Sequence, residues 1–514
     1  MSALRWVSEL SGGLACVALA ADLVRPPPAV APPASAARSA SSLPGSAPPL
    51  VASYTLDARL DAASHRIKGK GRIEWHNSSR VPVSSLFFHL YLNAFKNDRT
   101  LFFRSPFGAG RGGGRPRNYG YIDVQSLRAV ELGGLDLWPT RRPHTPGDPQ
   151  DETDIEVALP RPILPAEKLT LELEFEAQLP EVVERTGYVG SFHLVAQWFP
   201  KLARLEPDGT FAHFPFHAQS EFYADYGRYD VTLDVPVGYL VGASGQRVAV
   251  SSAGGRRRER YLAEPVHDFA WTAWDGFVER RAKIGDVAVT LLHPPGHATS
   301  QAATLTTLQH ALPELERRFG AYPYPTLTVV HPPAGADAAG GMEYPTLITT
   351  GGPWYLPHSG VRVLEAVTVH ELAHQWFYGL LASNEARAPF LDEGLTSFAE
   401  MRVMNQRFGA SSMGELLGLA VASESVFRAV AAASAADEPV GSEAARFSGF
   451  NNLGALAYSR TATILETVAR VWGRERMQRA LERYALSNRF GHPQPADLLA
   501  AIREHVGDAA ATVV

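Results

Sequence analysis

From Tyr54 onward apolar and polar residues alternate in short runs, which places successive side chains on opposite faces of an extended chain. Tyr54-Thr-Leu-Asp-Ala-Arg-Leu-Asp, Gly71-Arg-Ile-Glu-Trp-His and Leu86-Phe-Phe-His-Leu-Tyr-Leu read as strands divided by polar turns. The same texture recurs at Leu169-Thr-Leu-Glu-Leu-Glu-Phe-Glu, Tyr229-Asp-Val-Thr-Leu-Asp-Val and Tyr239-Leu-Val-Gly-Ala. No long helical pattern interrupts it. Residues 50–280 are therefore predicted to form an all-β domain of the sandwich type.

The periodicity then changes. Ser300 to Phe319 carries Leu305, Leu308, Leu312 and Leu315 at helical spacing and ends at Gly320, with Pro313 expected to kink or split the helix. Thr326 to Val330 reads as a buried strand, and a second follows through Leu347 and Ile348. Val361 to Tyr378 runs without Pro or Gly until Gly379, a natural helix stop. Further helices are predicted over Leu391–Phe408, Ala457–Val471 and Arg474–Leu486. Residues 281–514 thus read as an α+β domain.

At 514 residues the chain is too long for one ordinary core. Its 45% hydrophobic and 20% charged content is that of a globular protein and excludes disorder throughout. A net charge of −5 gives no long-range attraction to nucleic acid or anionic membrane. No apolar run approaches the roughly 20 residues of a membrane-spanning helix. Cys16 is the only cysteine, so neither a disulfide framework nor a CxxC metal site exists. Residues 1–49 differ in kind. Met1 to Leu23 carries Arg5, a broken apolar stretch and Ala18-Leu19-Ala20, a pattern that predicts export to the periplasm or outside the cell. Arg25 to Pro49, rich in Pro, Ala and Ser, reads as a disordered tether.

The chemistry centres on His370-Glu371-Leu372-Ala373-His374, inside the predicted helix. Residues at i and i+4 share one helical face, so both imidazoles can reach one ion. Glu371 lies about a hundred degrees round the helix, placed to take a proton from water without ligating the ion. A catalytic zinc wants three protein ligands and an open position, and Glu393 on the following helix is placed to be the third. The loop Ser383 to Pro389 lets the chain turn back across the first helix. One zinc per chain is the implied cofactor, and peptide-bond hydrolysis is the implied chemistry.

These residues carry a resemblance. The stretch from about 50 to 510 resembles the aminopeptidase N family of zinc metallopeptidases, within the gluzincins. Eighteen residues separate His374 from Glu393, as in that family. Gly340-Gly341-Met342-Glu343-Tyr344 is similar to its exopeptidase motif GAMEN, preceded by Phe319-Gly-Ala-Tyr-Pro-Tyr-Pro. Ala457-Tyr458-Ser459-Arg460 looks like the segment bearing the family's catalytic tyrosine, while Gln197-Trp-Phe-Pro-Lys and Val235-Pro-Val-Gly-Tyr are weaker matches. The resemblance implies a thermolysin-like catalytic domain over 281–514. It implies that Glu371 is the general base and Tyr458 the stabiliser of the oxyanion. It also implies substrate contacts from Gly341, Met342 and Glu343, with Glu343 binding the free α-amine of a peptide. By spacing, Glu400 lies two turns beyond Glu393 on one face and is positioned to orient a ligand histidine.

Three departures bear on this reading. The Asn that ends GAMEN is replaced by Tyr344, the family's WLNEG becomes Phe390-Leu391-Asp392-Glu393-Gly394, and the sequence stops at Val514, where the family's helical C-terminal domain would begin. A separate helical domain or partner in trans is one expectation that follows. Removal of N-terminal residues from peptides is the function the residues favour. Two alternatives stay open: an endopeptidase with an open cleft, and a non-catalytic scaffold that binds peptides or a partner. Gly108 to Gly113 fits GxGxxG but opens no helix, so it reads as a surface loop. Arg256-Arg257-Arg258 reads as a solvated turn region, and Trp198, Trp271 and Trp274 as sandwich aromatics, with Trp198 placed to reach the cleft.

Overall fold

The computed structural model describes residues 50–105, 115–144, 148, 150–351, 360–433 and 438–514. The leader, the tether and the Gly108–Gly113 loop lie outside the described residues. The alternation seen in sequence becomes an eight-stranded sheet. Its order across is Gln246–Ala253, Arg256–Val266, Gly227–Pro236, Ala52–Asp61, Arg66–His76, Lys168–Gln178, Tyr121–Ala129 and Leu135–Asp136. Ala52–Asp61 runs parallel to Gly227–Pro236 and antiparallel to Arg66–His76. In Lys168–Gln178 the inner set Leu169, Leu171, Leu173, Phe175 and Ala177 is buried while Glu172 and Glu174 face water. That is the two-residue period of a half-buried strand.

An aromatic layer covers the inner face. Tyr54 stacks on Tyr229 at 4.7 Å and meets Phe199 edge-on at 5.3 Å. Trp198 lies between Phe175 and Trp271 and donates its indole N–H to the Phe269 carbonyl at 3.1 Å. It is fully buried in the core and does not face the cleft. Trp271 is buried as well, and Trp274 is partly covered. The layer continues into two four-stranded sheets, one containing Phe192–Val195 and Trp271–Trp274, the other Val83–His89 and Asp154–Ile163. Arg256, Arg257 and Arg258 open a strand after the Gly254-Gly255 turn, and pair with Asp234, Glu259 and Asp57 respectively.

The second half begins with its own four-stranded sheet, Val278–Ile284, Val287–His293, Thr326–Val330 and Leu347–Thr349, so residue 280 falls inside its first strand. Helix α1, Ala298–Phe319, runs through Pro313 without a break. Pro313 and Gln309, whose carbonyl loses its donor, both lie on the exposed face, so water satisfies the freed group and no split occurs. Helix α2, Val363–Ala373, is buried along its whole length, which accounts for the lack of any polar stripe in its sequence.

Helix α2 stops sooner than Gly379 predicts. The chain turns through residues 374–380, with Tyr378 at φ 135°. The Tyr378 carbonyl accepts from His267 Nε2 at 2.9 Å, and the Gly379 carbonyl accepts from the Tyr226 hydroxyl at 3.1 Å. Both donors come from the β-rich half, so tertiary hydrogen bonds capture the helix end before its propensity runs out. Helix α3, Glu393–Phe408, follows a short 3₁₀ turn at Pro389–Leu391. The helix predicted from Ala457 opens as a π-helical stretch, Gly454–Arg460, before α4, Thr461–Trp472, and α5, Arg474–Ser487.

Candidate active site

Helices α2 and α3 cross so that the two imidazoles of the motif meet the first carboxylate of α3. His370 Nε2 lies 3.2 Å and His374 Nε2 3.3 Å from the same oxygen, Glu393 Oε2. One ligand-capable atom from each of the three residues lies within 4.8 Å of the other two. The imidazole rings stand edge to face, 4.8 Å apart at 82°. Glu393 opens α3, where the unpaired backbone N–H groups of the first turn favour a negative charge.

The opposite ring nitrogens are held by other carboxylates. His370 Nδ1 meets Glu400 Oε2 at 3.0 Å, as the helical spacing anticipates, and His374 Nδ1 meets Asp392 Oδ1 at 2.7 Å. Carboxylate-backed Nδ1 atoms leave both Nε2 atoms directed at the shared point, which is how ligating histidines are usually fixed. The donor set, two imidazole nitrogens and one carboxylate, fits a catalytic zinc and leaves a coordination position for solvent. Burial alone would lower His370, but its bonds to Glu393 and Glu400 outweigh this and push it up to about 10. Burial would raise Glu393, yet both histidines hold it well below the usual carboxylate range.

Glu371 is buried beside this centre, and its Oε2 has no hydrogen-bond partner. Burial, reinforced by nearby Glu343, pushes its carboxyl up to about 8 against the lowering pull of the histidines. Tyr458, carried by the π-helical stretch, hydrogen-bonds Glu393 Oε1 through its hydroxyl and stacks parallel to His370 at 6.0 Å. Its approach depends on Gly394. A Cβ there would meet Thr461 Cγ2 at 2.4 Å and the Ala457 carbonyl at 2.7 Å. Only glycine lets the π turn lie directly on α3.

The Gly340–Tyr344 segment lies alongside. Gly341 takes φ 68°, which favours glycine, and its N–H donates to the Thr349 carbonyl at 2.9 Å. Met342 pairs with Thr349 and is buried. Glu343, Glu371 and His374 each place a carboxylate or imidazole atom within 4.8 Å of the others. Tyr344, where the resembling family has Asn, is turned away: its ring is buried and its hydroxyl donates to the Arg185 carbonyl at 3.0 Å. Gln375, adjacent to His374, clamps the segment. It donates to the carbonyls of Glu343 and Tyr344 at 3.2 Å and accepts from the Thr346 N–H at 2.8 Å.

Gln375, Glu221, Glu385, Arg185 and the role of Asp392 beside His374 had no distinctive signal in the sequence pattern. Glu221, Glu343 and Glu385 form a buried cluster with oxygens within 4.8 Å of one another. Arg185, itself buried, pairs with Glu221. Glu385 is buried, and burial with nearby Asp392 raises this carboxyl well above its usual range. An acid in the short loop Ser383 to Pro389 was the one visible sign of Glu385. Glu221 sits more than a hundred residues from Glu343 in sequence and has no local signature.

Residues 303–514 match the family described as Peptidase family M1 domain. Aminopeptidase 2 of Candida albicans is 26% identical over 202 residues, 38% of this chain and 21% of that protein. Aminopeptidase B of Rattus norvegicus is 34% identical over 96 residues, 19% of this chain and 14% of that protein. The match thus spans about a fifth or less of the length of these curated relatives. Among solved structures, a variant M1 zinc metallopeptidase from Deinococcus radiodurans superposes with a TM-score of 0.61 at 18% identity, covering 91% of this chain and 94% of that one. The same variant bound to a Tyr-Ser-Ala substrate gives 0.60 at 18% identity over the same shares. At that identity the likeness is one of fold, and it extends across both halves. Residues 303–514 are thus similar to the M1 peptidase domain, and the β-rich half followed by an α+β half is the fold of M1 zinc metallopeptidases.

Proposed function

We propose that this protein is a zinc-dependent aminopeptidase that hydrolyses the first peptide bond of peptides with a free amino terminus. The observation that carries this reading is the position of Glu343, Glu371 and His374 within 4.8 Å of one another: an amine anchor, a base and a metal ligand in one site. When bound, zinc polarises the scissile carbonyl and makes water a stronger acid. Glu371 takes the proton of the attacking water and delivers it to the departing amine nitrogen. Its carboxyl is buried beside the three ligands, where it can reach both the water and the leaving nitrogen. The Tyr458 hydroxyl donates to the developing oxyanion.

Glu343, beside Glu221 and Glu385, offers the substrate ammonium a buried pocket lined by carboxyl groups, in which Arg185 compensates Glu221. Anchoring the amine one residue from the metal limits cleavage to the first bond. The leader pattern in residues 1–49 supports placing the enzyme outside the cytoplasm, and cell fractionation tests that assignment.

The reading is tested with paired peptides, one free and one N-acetylated. A charge-assisted contact is worth about 1.5–3 kcal/mol, so kcat/KM should fall roughly 10- to 150-fold on acetylation. Equal rates would instead favour an endopeptidase, and no hydrolysis of either peptide by the zinc-loaded chain would favour a scaffold.

A further inference from the structure

Away from the catalytic centre, among the described residues, one other group combines two imidazoles with a carboxylate: His144, Asp154 and His213, each with a ligand-capable atom within 4.8 Å of the others. We propose that these three residues bind a second divalent transition ion, zinc(II) or a metal of similar ligand preference, in the β-rich half.

The chain builds the group from three segments. Arg142–Pro143 pairs with the strand Asp154–Ile163, and the His144 N–H donates to the Asp154 carbonyl at 2.8 Å, which seats His144 beside the first residue of that strand. His213 directly follows the short strand Phe211–Ala212. Its ring stacks on Phe87 at 4.0 Å, and the edge of the same Phe87 meets His144 at 5.5 Å, so one aromatic side chain orients both imidazoles. The two histidine rings stand edge to face, 4.6 Å apart at 86°. That pose nearly repeats His370 and His374, at 4.8 Å and 82°.

The charge at this point favours a cation. Asp154 is fully buried; Oδ2 meets His213 Nδ1 at 2.7 Å, but Oδ1 has no hydrogen-bond partner. A buried carboxylate oxygen without a donor is costly. The facing residue on the next strand, His89, does not supply the charge. It is fully buried, and burial pushes it down to about 4. Lys201, opposite His89 across the sheet, pairs with Asp268 at 2.6 Å. Exposure is graded from buried Asp154 through half-buried His213 to exposed His144, which leaves an entry path from solvent. Two imidazoles and one carboxylate suit zinc, cobalt or nickel and not calcium or magnesium, which prefer oxygen-only shells. The remaining positions fall to water, and the ion would hold the three segments together.

The test is metal analysis of the purified full chain after dialysis against low-micromolar free zinc. Two equivalents per chain are expected. His144→Ala removes an exposed ring and should lower the count to one with peptide hydrolysis unchanged. His370→Ala should also lower it to one, with hydrolysis lost, and the double variant should bind none. A single equivalent in the intact chain that disappears with His370→Ala would overturn the proposal, as would two equivalents that survive His144→Ala. Zinc-edge anomalous scattering from crystals of the intact chain gives an independent reading: a peak between His144, Asp154 and His213 is expected, and a peak at the catalytic site alone refutes it. Neither arm depends on the peptidase reading, because the count is of metal.

Discussion

Glu371 is buried next to His370, His374 and Glu393, and as the proposed base rather than a ligand its substitution should separate chemistry from metal binding. Glu371→Gln keeps the shape and removes the base; kcat should fall by about 10²- to 10⁴-fold while zinc content stays unchanged. Parallel loss of zinc would show that Glu371 belongs to the ligand set. The same cluster predicts a pH dependence. His370 is raised from 6.5 to about 10 in the metal-free site, so its contribution to stability is full below 6.5 and lost as pH rises through 10. Glu371, raised from 4.5 to about 8, disfavours the fold progressively as pH climbs across that interval. Both act in one direction. Thermal melts of chelator-treated protein should shift downward from pH 6.5 to about 10, and the gap to zinc-loaded protein should widen; a metal-free melting point that rises over this range would contradict the assignment. His370, Glu371, His374, Glu393 and Glu400 were legible because helical spacing fixes which side chains share a face. Glu221 and Glu385 were not, since only the fold brings them to Glu343.

Helices were easier to find than to end. The spacing of Leu305, Leu308, Leu312 and Leu315 located α1, but whether Pro313 would break it depended on the exposure of its face, which no local pattern records. The stop of α2 before Gly379 follows from donors on Tyr226 and His267, far away in sequence. The π-helical opening before α4 was equally hidden, although it is what brings Tyr458 to Glu393. Gly394 gives this element its test. Gly394→Ala should push the Gly454–Arg460 turn off α3, cost about 1–3 kcal/mol as overpacking does, and lower kcat with zinc retained. Kinetics beside a denaturant melt would check it, and unchanged kcat would mean that Tyr458 does not act from this turn.

At the scale of the molecule, the β-rich half is more than a support for the catalytic half. Its alternating strands were plain in the sequence, and its inner face is a continuous aromatic core. Its contribution to the site was invisible there, because Tyr226, His267, Arg185 and Glu221 reach across to Gly379, Tyr378, Tyr344 and Glu343. Glu221→Gln is therefore expected to raise KM for free-amine peptides roughly tenfold or more, as loss of a charge-assisted contact does, with zinc content unaltered. Steady-state kinetics with metal analysis check this, and an unchanged KM would confine amine binding to the catalytic half. Hydrolysis by this site requires one ion held by His370, His374 and Glu393. Crystals of the zinc-loaded protein measured at the zinc absorption edge test it most directly. An anomalous peak about 2.0–2.2 Å from His370 Nε2, His374 Nε2 and a Glu393 oxygen is predicted; density in which those three side chains surround no such peak would contradict it.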